Sequence, residues 1–193
     1  MYLKSNKALE ILALYLSDYN KQIYLREISK LARIPLKTTQ TLIANLERDK
    51  LLKSAVKGKN KYFRLNLDNI ETKFYLLQSE LHMTLMFIEK YPLFKSFMGK
   101  ININAPMVVF GSFAKFKADG GSDLDLLVIS KSKINLPLHL LAYKIHEIYL
   151  DEDSFRKSLE KKEALIMEIK DNHIILNNHS FFVNSMLDYH EKQ

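Results

Sequence analysis

The chain has 193 residues, 47% of them apolar, enough to pack hydrophobic cores and too many for wholesale disorder. It contains no cysteine, which excludes disulfides and thiolate metal centres. Net charge is +7, unevenly spread: residues 1–66 carry 14 Lys/Arg against 5 Asp/Glu, +9, and residues 67–193 carry 15 against 17, −2. All the excess positive charge therefore lies in the first third, which predicts a basic module with a polyanionic partner, nucleic acid first. The opening "MYLKSNKALE" has no signal-peptide pattern, and no apolar run approaches membrane-spanning length. A cytoplasmic protein with no membrane partner is expected.

In chain order, "NKALEILALYLSDY" spaces Leu9, Leu12, Ala13 and Leu16 as one face of a helix. "YLREISKLARI" reads as a second helix with Ile28, Leu31 and Ala32 inward, stopped by Ile34-Pro35. "PLKTTQTLIANLERDK" is a third, burying Leu42, Ile43 and Leu46. "LLKSAVKGKNKYFRLN" reads as two strands around a Gly58-Lys59-Asn60 turn. Over about residues 5–66 this order resembles the winged helix-turn-helix family, with Lys50 where many members have glycine before the wing. The resemblance implies double-stranded DNA as partner. Lys37, Thr38, Gln40 and Thr41 of the third helix would meet bases or phosphates, and Lys57, Lys59 and Lys61 of the wing would reach phosphates or the minor groove. A winged helix used for dimerisation or protein contact is the alternative.

Residues 67–92 read as a helical connector. Asp68 and Asn69 suit its start, Pro92 its end, and Phe74, Leu77, Leu81, Leu85 and Ile88 form an apolar stripe along it. That stripe suits packing on either neighbouring domain or pairing in a homodimer. Residues 93–193 interleave helices and strands. "FKSFMGK" is helical, "APMVVFG" a strand, "SFAKF" a helical turn and "DLDLLVIS" a strand. "LPLHLLAYKIH" reads as a helix, "EIYL" as a short strand, "DSFRKSLEKKEALIMEIKD" as one helix, "HIILNN" as a strand and "SFFVNSMLDYH" as a closing helix. The fold class expected is α+β: a winged helix, a helical connector and a mixed α/β domain.

The chemistry concentrates in "GSFAKFKADGGSDLDLLVIS". A Gly-Ser pair at a strand end leaves backbone N–H groups free for an anion. Asp123 and Asp125, two residues apart on a strand, point to the same face. Two such carboxylates facing a phosphate cradle are what Mg2+-assisted phosphoryl or nucleotidyl transfer needs, whereas "DGGSD" taken alone is ordinary turn chemistry. The whole arrangement resembles the minimal nucleotidyltransferases of the DNA polymerase β superfamily, over roughly residues 93–183. The resemblance implies that Gly111 and Ser112 bind nucleotide phosphate, that Lys115 touches phosphate, and that Asp123 and Asp125 hold Mg2+ with a nucleoside triphosphate, ATP foremost. Active members have a third acid on a neighbouring strand, for which Glu147 is the nearest candidate and His146 the alternative by register. Histidine there is an unusual Mg2+ ligand, since that ion prefers oxygen. The family commonly reads Ala-Arg-Gly-Glu where this chain has Ala114-Lys115-Phe116-Lys117, and bulky Phe116 is expected to narrow the site.

Two functional readings follow. One is a DNA-bound, Mg2+-dependent nucleotidyltransferase that moves a nucleoside monophosphate, AMP favoured, onto a protein or other acceptor, as antitoxins of this kind do to their partner toxins. The other is a transcriptional regulator whose transferase domain is inactive and senses a nucleotide. A third carboxylate beside Asp123 and Asp125 would favour the first, a histidine the second.

Overall fold

The computed structural model describes residues 6–192; residues 1–5 and 193, the outer ends of the basic third and of the second domain, lie outside the described residues. The chain divides into two compact units, Met1–His82 and Met83–Gln193.

The first unit contains α1 (Lys7–Ala13), β1 (Ile23–Tyr24), α2 (Leu25–Ala32), α3 (Leu36–Arg48) and the strands β2 (Leu52–Lys57) and β3 (Asn60–Leu65). The three strands form an antiparallel sheet in the order β1-β3-β2, and β2 and β3 turn back at Gly58, whose φ is +60°. Ile11, Leu12, Ile23, Ile28, Ile43 and Phe63 bury the inner faces, and the Tyr15 hydroxyl donates to the Phe63 carbonyl (3.1 Å). Two sequence expectations need correction. The first helix ends at Ala13 and continues as turns through Ser17, although Leu16 is still buried. Leu31 is 46% exposed, because α2 buries a narrower face centred on Ile28.

Among the helices that end on a residue in the left-handed conformation that is not glycine are α2 at Arg33, α3 at Lys50 and, in the second unit, α7 (Glu152–Glu160) at Lys162, with φ of 55°, 56° and 55°. Each is followed by a backbone N–H that reaches back five residues, Ile34 to Ser29, Leu51 to Leu46 and Glu163 to Ser158 (3.1, 2.9 and 3.0 Å). This is the closure glycine usually supplies at helix ends. Lys50 thus adopts the backbone that a glycine before the hairpin would adopt.

The boundary between units falls within α4 (Ile70–Lys90). Of its apolar stripe, Phe74, Leu81 and Leu85 are 55%, 47% and 39% exposed, while Leu77 and Ile88 are half-buried, Ile88 against the second-unit core. Its first-unit half buries Thr72, Leu76, Ser79 and Glu80 instead, and its second-unit half Thr84 and Phe87. The hydroxyls are buried without penalty because each finds a carbonyl: Thr72 donates to Asn66 (2.7 Å), Ser79 to Tyr75 (2.9 Å) and Thr84 to Ile175 (2.6 Å).

The second unit continues with α5 (Leu93–Lys100), β4 (Met107–Phe110), α6 (Gly111–Ala114), β5 (Leu124–Ile129), β6 (Ile145–Leu150), α7, α8 (Ala164–Asp171), β7 (His173–Asn177) and α9 (His179–Glu191). Its sheet runs β6-β5-β4-β7, with β4 antiparallel to both neighbours and β5 parallel to β6. Central β4 is apolar and buried throughout. One face packs on an aromatic cluster in which Phe87 meets Phe94 (centroids 4.6 Å) and Phe113 meets Tyr143 (4.7 Å).

Two expectations fail here. "LPLHLLAYKIH" is not a helix: Leu138–Leu140 make one 3-10 turn, and the rest is an irregular crossover delivering β6 parallel to β5. Leu136 and Leu141 are buried, so the leucine spacing that suggests a helix records two points where the crossover touches the core. The long helix expected over 153–171 is two helices, α7 and α8, parted at left-handed Lys162. Among the described residues, no helix is long and apolar enough to cross a membrane.

Candidate functional site

The strand–turn–strand that carries the acids is tightly joined. β4 ends at Phe110, paired with Asp125, and the chain turns at Gly111 with φ +70° into α6. A Cβ at Gly111 would lie 2.5 Å from Oδ2 of Asp125, so glycine is required twice, by the left-handed backbone and by the carboxylate lying over it. Asp125 in β5 and Asp123 just before it both lie beside the same His146 ring, while Leu124 and Leu126 are buried in the core. The turn before them is held by Asp119, whose Oδ1 accepts from the Gly121 N–H (3.0 Å) and the Ser122 hydroxyl (3.1 Å).

Parallel β6 decides what faces the acids. Asp125 pairs with His146, and Leu126 with Glu147. The His146 ring therefore lies beside both carboxylates, Nδ1 at 3.4 Å from Asp125 Oδ1 and Nε2 at 3.5 Å from Asp123 Oδ2. Glu147 stands on the opposite face. It accepts from the Tyr149 hydroxyl (3.0 Å), lies 3.8 Å from Lys133 Nζ, and borders a pocket of about 450 Å³ with Ile134, Leu136 and Leu138. Burial and this bond push the Tyr149 phenol above its ordinary range. Register thus brings His146, and not Glu147, together with Asp123 and Asp125.

A second side chain joins them that sequence reading passed over. Lys144 donates to Asp123 Oδ2 (2.9 Å), and its hydrogen bond holds the Asp123 carboxyl below the usual carboxylate range. Its signal was positional: the Leu124 N–H bonds the Lys144 carbonyl (2.8 Å), so the residue two before His146 meets the residue two before Asp125. Ser112 is half-buried in the first turn of α6, beside Gly111. Lys115 is drawn to Glu168 (3.0 Å). Phe116 sits with φ +56° and packs its ring edge-on to Phe87 (6.2 Å), half-buried against the core.

Among the described residues, no three of His, Asp and Glu form a ready-made metal cage. The donor chemistry nevertheless fits a divalent cation. Two carboxylates offer four oxygens on one face, and the Lys144 ammonium already stands at Asp123 as a neutralising cation.

In the first unit, Gln40, Lys59 and Lys61 line one groove of about 770 Å³ between α3 and the β2–β3 hairpin. Arg26, near the start of α2, lines it too and was not singled out from sequence. Lys61 is engaged by Glu47 (2.9 Å), which also accepts from Ser54 (2.6 Å). Burial opposes ionisation of Glu47, but these two bonds prevail and lower its pKa. Lys37, Thr41 and Lys57 are exposed, Thr38 is half-buried, and the Thr41 hydroxyl donates to the Lys37 carbonyl (3.2 Å).

Residues 93–181 match the family described as polymerase beta, nucleotidyltransferase. The acids, Gly111, Ser112 and His146 all fall inside that span, and the C-terminal region is of the nucleotidyltransferase type. Comparison with curated proteins gave no match. Among solved structures, AF1382 from Archaeoglobus fulgidus is 26% identical, over 44% of this chain and 91% of that one; its TM-score of 0.36 is too low to bear on the fold.

Proposed function

We propose that this protein is a DNA-binding regulator whose nucleotidyltransferase-type domain holds a metal–nucleoside triphosphate, ATP favoured, and signals its presence. One observation carries the choice of binding over transfer: the register that pairs Asp125 with His146 sets an imidazole, not a third carboxylate, beside the two acids. In this reading Gly111 and Ser112 offer backbone N–H groups and a hydroxyl to phosphate, and Asp123 and Asp125 hold the divalent ion that neutralises the triphosphate. Lys144 must leave Asp123 when that ion enters. It can do so at small cost, because its side chain is 72% exposed and water readily replaces the carboxylate as its partner. The DNA-binding half of the proposal is supported by the +9 balance of residues 1–66 and by Arg26, Gln40, Lys59 and Lys61 around one groove.

The close seat of Asp125 over Gly111 favours a second reading, transfer of a nucleoside monophosphate to a protein or other acceptor, since that juxtaposition would hold a triphosphate against its metal. The experiment is to change Asp123 and Asp125 together to Asn and measure metal-dependent ATP binding by calorimetry beside DNA binding. Nucleotide binding is expected to collapse while DNA binding persists; a variant that binds ATP as tightly as the parent overturns the proposal. Labelled ATP incubated with a cell lysate separates the readings, because only transfer leaves label on a discrete macromolecule.

A further inference from the structure

We propose that α4 pairs antiparallel with α4 of a second copy of this chain, through a seam of Ile70, Phe74, Leu77 and Leu81. All four residues belong to the first unit.

The first-unit half of α4 has two rows of inward-suited residues. Thr72, Leu76 and Ser79 are buried within their own unit. Ile70, Phe74 and Leu81 are 69%, 55% and 47% exposed, and Leu77 is half-buried. At about 3.6 residues per turn, the centres of the two rows fall roughly 160° apart around the helix. A helix that packs one side on its own unit cannot bury the opposite side there, so the apolar row needs another surface.

The spacing of the row points to its occupant. Ile70, Phe74, Leu77 and Leu81 follow one another by steps of four, three and four, the seam by which one helix packs on another. The row also reads the same in both directions. About a two-fold axis between Tyr75 and Leu76, Ile70 meets Leu81 of the second copy, and Phe74 meets Leu77 of the second copy. A copy of this chain therefore covers every member of the row and leaves none over, the closed contact of a two-fold dimer. Parallel pairing would set Phe74 on Phe74 and Leu77 on Leu77, layers of unequal bulk. The antiparallel arrangement evens them and opposes the two helix dipoles. Along one edge of the seam, exposed Glu71 faces Gln78 of the second copy, so no like charges meet there. At the exposures given, the four residues leave roughly 400 Å² of apolar surface in water per chain, so pairing removes roughly 800 Å². With a polar rim, that reaches the range of specific interfaces, about 1,200–2,000 Å².

Analytical ultracentrifugation of the full chain measures the pairing, with Ile70→Glu, Leu81→Lys and the two changes combined, each protein checked by a thermal melt. The parent is expected to sediment as a dimer in the micromolar range. Either single change sets an unpaired charge in the seam and should raise the dimer dissociation constant about ten-fold or more. In the combined variant the two new charges face each other across the axis, so most of that loss should be recovered. A parent that stays monomeric, or single variants that dimerise as tightly as the parent, overturns the inference. Single variants that dissociate with no recovery in the combined one overturn it too, since antiparallel pairing requires the rescue. The chain has no cysteine, which gives a second readout independent of charge. Chains carrying Ile70→Cys mixed with chains carrying Leu81→Cys should cross-link under mild oxidation, and neither should do so alone; cross-linking of each alone and not of the mixture refutes the pairing.

Discussion

Replacing Gly111 by alanine tests how tightly the turn and the acid are joined. The substitution imposes two separable penalties. An L-residue held at φ +70° costs about 1–2 kcal/mol. The new Cβ would then lie 2.5 Å from Asp125 Oδ2, so the carboxylate must swing off its rotamer, at about 0.5–1.5 kcal/mol. The expected loss is about 2–3 kcal/mol, with Asp125 displaced from His146 and metal-dependent nucleotide binding impaired. A double-mutant cycle isolates the steric part. In an Asp125→Ala background the backbone penalty remains and the collision vanishes, so the cycle should show a coupling of about 1 kcal/mol. Chemical denaturation of the four proteins measures it. Gly58 has φ +60° and no atom within 4 Å of where a methyl group would stand, so it should lose only the backbone part when changed to alanine. A coupling within ~0.3 kcal/mol of zero, with nucleotide binding intact in Gly111→Ala, would refute the idea that this glycine exists to seat the acid.

Changing Lys57, Lys59 and Lys61 together to alanine should weaken duplex DNA binding and flatten its salt dependence, read from titrations at several salt concentrations, by up to about 0.9 per lost phosphate contact. Because Glu47 already engages Lys61, the single change at 61 should move the slope least. Lys144→Ala should raise the Asp123 pKa toward the ordinary carboxylate value of about 3.9, as followed by NMR titration. Since the Lys144 contact lowers that pKa in the folded state, its stabilisation is present above the unfolded pKa and lost as pH falls through the folded one; the variant should differ from the parent at neutral pH and converge with it in acid. At Phe116, glycine relieves the left-handed strain but surrenders the ring's packing on Phe87, whereas alanine keeps the strain and loses the packing, so thermal stability should fall in the order parent, Phe116→Gly, Phe116→Ala.

The acid motif was legible because strand alternation is a two-residue rule: Asp123 and Asp125 had to share a face wherever that strand lay. The helices and hairpin of the first unit were legible from apolar spacing and from the Gly58 turn. Three things were not. The break between α7 and α8 is made at Lys162, with none of the glycine or proline that marks such a break in sequence. The buried face of α4 was not, because beside Leu76 and Phe87 it carries hydroxyls buried on carbonyl partners, and a carbonyl's position is a fact of tertiary structure. The third position of the acid site depended on which residue of β6 pairs with Asp125. A crossover with no regular helix, ending in "KIHEIYL", leaves that register open until the parallel pairing is seen.

That pairing has an evolutionary consequence. β6 is an edge strand, and every one of its side chains except exposed His146 is half-buried, with Ile145 and Tyr149 resting on the margin of the core. Sliding it by one residue would exchange the faces of all its side chains, at the cost of lifting Ile145 and Tyr149 off the core. A single-residue deletion between Ser130 and Lys144 would be enough to drive such a slide, and would set Glu147 against Asp125 in place of His146, whereas an insertion would bring Ile145 there. The chain therefore holds two versions of its acid site in adjacent letters, one with nitrogen and one with oxygen. A change of loop length, with no substitution at the site itself, is the shortest mutational path between them.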